Sequence, residues 1–186
     1  MKNNNIDRAK ELFFKYGGSA FHRDRDPDGD EYDSYSVSKE QEFKWVNDFF
    51  LINIDQFDLN NDVWVASYFS VIYTFPEERF LKAIYTYILK NIRLIQNPYT
   101  PLYITQQFFW IIKKKKVSYE LTRKILLLIE QLLAIALNIK LNPDFLITHF
   151  SIIRHNHNES PEEYIVKEYE ILKEKLNLAK ANFNLI

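Results

Sequence analysis

Beyond Gly29 this chain of 186 residues contains no glycine; its three glycines, Gly17, Gly18 and Gly29, all fall in one N-terminal stretch. Glycine is the residue a backbone uses where it must adopt conformations closed to other residues. Its confinement to one stretch separates an arm from a body of regular structure. We read the body as all-α and the stretch 17–37 as a non-helical arm. The same stretch holds the densest cluster of acids in the chain: Asp24, Asp26, Asp28, Asp30, Glu31 and Asp33. The lack of glycine past position 29 also excludes phosphate-cradling glycine loops and glycine-flanked serine elbows from the body.

Proline and capping residues divide the body. A proline is tolerated in the first turn of a helix, where its missing N–H would have no partner anyway. Pro76, Pro101, Pro143 and Pro161 occupy such places, and Ser160 with Glu163 forms a capping box. Ser38 with Gln41 forms a second. The resulting expectation is a first helix at about 5–16, ended by Gly17-Gly18. Seven more follow, at about 38–57, 61–74, 76–95, 101–115, 118–140, 143–157 and from 161 onward.

Three of these segments have a readable face. In the helix from Ser38, Phe43, Val46, Phe50, Ile54 and Phe57 recur at helical spacing, and Trp45, Phe49 and Ile52 form a second apolar face, which places that helix centrally. The helix from Pro76 carries Phe80, Ile84, Ile88, Ile92 and Ile95 on one side. The last has Ile165, Tyr169, Leu172, Leu176, Ala179 and Phe183 inward, with Glu163, Lys167, Glu170 and Lys173 outward. Short connections make successive helices antiparallel. The proline intervals show no fixed period, so we expect one domain, 1–186, built as an irregular antiparallel array of about eight helices, in HEAT-like pairs or a bundle.

Composition narrows the function classes. Cysteine is absent, which removes disulfides, thiolate metal sites and cysteine nucleophiles. The first residues show no apolar h-region, and the expectation is a cytoplasmic protein. The apolar run 125–137 is broken by Glu130 and Gln131 and is shorter than the ~18 residues a membrane span needs; it reads as a buried central helix. With 24 basic and 25 acidic residues, the chain lacks the overall charge of a nucleic-acid binder.

Local charge is less even, and it supplies the candidate sites. Asp24, Asp26, Asp28 and Gly29 match the opening of an EF-hand calcium loop, but the pattern then fails at Glu31 and at Tyr35, which stands where a bidentate glutamate belongs. A solvated acidic turn is the stronger reading, and no cofactor or metal is expected. Tyr16, Phe21, Tyr32 and Tyr35 flank these acids. Either they pin the arm to the body, or Asp26, Asp28, Asp30, Tyr32 and Tyr35 form a partner-binding surface; an arm held down by its rings can still offer its acids to a basic partner.

A compact positive corner, Lys113, Lys114, Lys115 and Lys116 with Arg123 and Lys124, complements a helix C-terminal dipole or binds an anionic surface. Its sign is opposite to the arm's, which also allows head-to-tail self-association. His22, His149, His155 and His157 do not share helical metal-binding spacing, since 149 to 155 is six positions and 155 to 157 is two.

Phe14 to Ser19, Phe21-His22, Glu31-Tyr32, Tyr35 and Ser38-Lys39-Glu40 together resemble the opening of a group of small bacterial helical proteins without a known activity. The resemblance covers about the first 45 residues and implies a cytoplasmic helical protein, with no particular chemistry. The functional expectation is a non-enzymatic protein-interaction module, an adaptor, regulator or immunity-type protein, acting through a helical surface and the acidic aromatic arm. The alternative is a nucleic-acid or anionic-surface binder at the lysine corner; a third, an enzyme using His22 or His149 with arm carboxylates, requires those groups to converge.

Overall fold

A computed structural model describes residues 2–15, 26–114, 117–141 and 160–183, without the side chains of 2–4, 49, 51–53, 56 and 62–64. Among the described residues the secondary structure is helical throughout. In chain order the helices are α1 (Lys2–Lys15), α2 (Asp28–Ser34), α3 (Lys39–Asn53), α4 (Asp62–Thr74), α5 (Glu78–Asn91), α6 (Tyr99–Lys114), α7 (Tyr119–Ala136) and α8 (Pro161–Asn182). Short 3₁₀ turns, Ile54–Gln56 and Ile92–Leu94, close α3 and α5. The all-α expectation holds. The expected helix at 143–157 lies outside the described residues.

Helix starts follow the capping chemistry. Ser160 accepts the Glu163 N–H at 3.2 Å and the Glu163 carboxylate accepts the Ser160 N–H at 2.8 Å, so both halves of the box are made. That backbone hydrogen bond holds Glu163 below the usual carboxylate range. Ser38 makes half of its box, accepting from the Gln41 N–H at 3.1 Å. At α6 the structure differs from the proline rule. The helix begins at Tyr99, ahead of Pro101, because buried Asn97 accepts the Thr100 N–H at 2.8 Å and serves as the cap. α7 stops at Ala136 rather than near 140, where Asn138 turns its side-chain amide back to the Ala134 carbonyl.

The helices form two packed groups. In the first, α3 is central, as its two apolar faces require. Trp45 meets Phe13 of α1 at 5.7 Å, and Phe50 meets Tyr68 of α4 at 4.7 Å and Phe80 of α5 at 5.1 Å between ring centroids. Offset and tilted ring pairs of this kind add about 0.5–1.5 kcal/mol each to the burial itself. The predicted α5 face is buried at Phe80, Ile84, Ile88 and Ile95.

In the second group α6, α7 and α8 pack on one another. Along α8, Ile165, Leu172 and Leu176 are buried and Tyr169, Ala179 and Phe183 pack against the core. Directions follow from end contacts. Tyr99 stacks on Tyr164 at the N-terminal ends of α6 and α8, whereas Tyr119 at the start of α7 stacks on Phe183 at the end of α8. So α6 and α8 run parallel and α7 runs against both. α4 joins the groups through Phe69, edge-on to Phe108 of α6 at 5.5 Å.

The arm requires a correction. Part of the stretch expected to be non-helical, Asp28–Ser34, is the helix α2. Seven residues with a glycine among them are far below the length at which a helix stands alone. α2 is held instead by neighbours distant in sequence, which a local reading of propensity does not see.

Candidate interaction surfaces

The acidic arm is fastened at several points. Arg8 of α1 grips the Glu31 carboxylate with both ends of its guanidinium, Nε to Oε1 at 2.9 Å and Nη2 to Oε2 at 3.2 Å. Tyr35 donates its hydroxyl to the same carboxylate at 2.9 Å. The Arg8 guanidinium, then the Tyr35 hydroxyl, keep Glu31 below the ordinary carboxylate range, and the bond to Glu31 raises the Tyr35 phenol. Lys15 binds Asp28, and the Asp28 N–H donates to Asp26 Oδ1 at 3.2 Å.

One turn of α2 inward, Tyr32 is 3% exposed and donates its hydroxyl to Glu42 of α3 at 2.8 Å; Glu42 is itself 2% exposed and takes Lys39 on its other oxygen at 2.6 Å. After α2 the chain reverses through Ser36, whose φ of 50° lies in the left-handed region that favours glycine.

This arrangement settles which tyrosines face outward. Tyr32 is part of the core, so its expected place on a partner-binding surface is corrected: a ring with this burial and a buried carboxylate on its hydroxyl has nothing left for a partner. Tyr35 is half-buried against the core and engaged with Glu31. Asp28 is committed to Lys15 and Asp26 is half-buried, while Asp30 is exposed. Asp24, the third acid of the calcium-loop match, lies outside the described residues, as do Tyr16 and Phe21. Among the described residues no three carboxylate or imidazole groups converge as a metal site would require. All four histidines lie outside the described residues.

The positive corner is partly neutralised. Lys124 pairs with Glu120 at 2.6 Å, which holds Glu120 low and Lys124 high, and the Arg123 guanidinium lies 5.9 Å over the Tyr119 ring. Glu78 of α5 reaches across to the start of α7, accepting the Ser118 N–H and hydroxyl, both at 2.8 Å. Lys113 and Lys114 remain exposed at the end of α6; Lys115 and Lys116 lie outside the described residues.

Two further features were not anticipated. A cleft of about 480 Å³ opens along the first turns of α3 between Glu40, Lys44, Asn47 and Arg79. The Arg79 guanidinium rests on Phe43 and Phe80, at 5.0 and 4.9 Å, and is bound by Glu77 at 2.7 Å.

The second feature is an uneven distribution of exposed apolar side chains. Ten large ones are exposed among the described residues, and seven of them, Trp110, Tyr119, Leu127, Leu137, Val166, Ile171 and Leu178, lie on α6–α8 or just beyond α7. The sequence does carry a signal for those on α8. Val166, Ile171 and Leu178 are apolar residues left over once the inward stripe of that helix has been assigned. No family model, curated protein or solved structure matches the chain.

Proposed function

We propose that the protein is a non-enzymatic interaction module, an adaptor, regulator or immunity-type protein, that docks a partner protein on the outer surface of α6–α8. The observation that carries this reading is the gathering of seven of ten exposed large apolar side chains on that group. Single exposed apolar residues are ordinary, but a local excess marks interaction surfaces. The arm contributes at most its exposed acids, since Tyr32 is buried and Tyr35 is engaged with Glu31.

The test is co-purification of partners from the native cell on the intact chain and two variants. Leu127, Ile171 and Leu178 together changed to serine are expected to abolish a specific partner, while Asp26, Asp28 and Asp30 changed to asparagine retain it. Loss of the partner with the arm variant alone would move the site to the arm, and catalytic turnover by the purified chain would end the reading.

A further inference from the structure

The pairing of α6 with α8 sets the chemistry of the partner. The two helices run parallel, and Gln106 Nε2 donates to Glu168 Oε1 at 2.5 Å, which fixes their relative height. One turn further on, Trp110 stands four positions beyond Gln106 and Ile171 three beyond Glu168, so by helical spacing both follow the side on which the helices meet, with the Trp110 ring set edge-on to Tyr73 of α4 at 4.3 Å. Trp110 is 42% exposed and Ile171 is 39% exposed. The following turns bring Lys113 and Lys114 on α6, and Lys175 and Leu178 on α8, all exposed. By helical spacing and the register of α6 on α8, these six positions fall in one row: an aromatic anchor, two aliphatic residues and three lysines.

The lysines differ from the other cations nearby. Lys124 is held by Glu120 and Lys180 by Glu130, whereas Lys113, Lys114 and Lys175 have no carboxylate partner among the described residues. Glu168 is engaged by Gln106, and with Glu174 at the edge of the row counted against the lysines the balance stays positive.

We infer that this row binds an acidic amphipathic helix of a partner protein, its apolar face on Trp110, Ile171 and Leu178 and its carboxylates on the lysines. The inference rests on the proposed α6–α8 docking surface and names the partner's chemistry. Apolar helix-in-groove contact supplies the area, tryptophan is enriched among the residues that dominate such interfaces, and charge complementarity sets orientation and association rate.

Selection of phage-displayed random peptides, long enough for several helical turns, on the intact chain tests this. The selected sequences are expected to carry net negative charge with apolar residues at helical spacing. Their affinities should weaken about tenfold in K113E/K114E and in I171S/L178S, and fall with added salt. Circular dichroism of each variant verifies folding.

Selected peptides without net negative charge, or bound equally by K113E/K114E, overturn the inference; if I171S/L178S still abolishes their binding, the docking surface survives and only the partner's chemistry falls. Failure to select any peptide also overturns it. Phosphatidylserine vesicles serve as the second probe: sedimentation of the intact chain with them, lost in K113E/K114E, together with no selected peptide, overturns it in favour of a lipid surface.

Discussion

The α2 segment and the α6–α8 group dispose of aromatic and charged side chains in opposite directions. α2 has few apolar residues, yet Tyr32 goes into the core, Tyr35 and Glu31 bind each other, and Arg8 and Lys15 reach over from α1 to hold its acids. α6 and α7 are long and apolar and α8 is long and amphipathic, and they leave Trp110, Leu127, Ile171 and Leu178 partly exposed. A short helix lacks the length to be stable alone and is held by specific contacts to other elements. Long helices that pack on each other bury one stripe and retain apolar residues outside it. Availability for a partner therefore follows from what a segment needs to stay folded, and the polar, aromatic arm needs its own side chains more than the helical body does.

Two substitutions of a single ring test this most strongly. Tyr32→Ala removes a core aromatic and is expected to destabilise the fold by about 3–5 kcal/mol. Trp110→Ala, on a ring 42% exposed and edge-on to Tyr73, is expected to cost about 1–2 kcal/mol while weakening partner binding. Chemical denaturation of both variants checks the contrast; equal losses would place the two rings in the same class and remove it.

A narrower change isolates the buried pair. Tyr32→Phe keeps the ring and deletes only the hydroxyl whose proton Glu42 accepts, while the contact of Lys39 with the other carboxylate oxygen at 2.6 Å stays in place. The expected loss is about 1–3 kcal/mol, because a buried acceptor is deprived of its donor. If the double variant with Glu42→Gln lost as much as the sum of the two single changes, the residues would be energetically independent and the clamp would be no more than proximity.

These differences mark what was legible in the sequence. The Ser160 box, the α5 face from Phe80 to Ile88 and the inward stripe of α8 were readable because each is set by neighbours within a turn or two. The helix at Asp28–Ser34 was not. Its fastenings join residues 23, 13 and 10 positions apart, Arg8 to Glu31, Lys15 to Asp28 and Tyr32 to Glu42, and such contacts leave no local period. The start of α6 was misplaced because Asn97 caps it through a buried contact with Thr100, ahead of Pro101. Trp110 was missed for a related cause: whether a residue on an amphipathic helix is covered depends on which helix lies beside it, and the α6–α8 alignment comes from Gln106 and Glu168, far apart in the chain.

The smallest expected effect concerns the outermost contact of α2. Glu31 has its pKa lowered in the folded chain, first by the Arg8 hydrogen bond and then by that of Tyr35. The contribution of the ionised carboxylate is therefore complete above the unfolded glutamate value, about 4.3, and is lost as pH falls through the lower folded value. Glu31→Gln should then loosen α2 slightly at neutral pH, and the gap from the unchanged chain should close in acid and shrink with salt. Amide hydrogen exchange within α2 reads this locally, where a global melt would dilute it. A gap that persists after Glu31 is protonated would mean that the side chain holds α2 by packing and not by charge, and the arm would then resemble α8 in how it is secured.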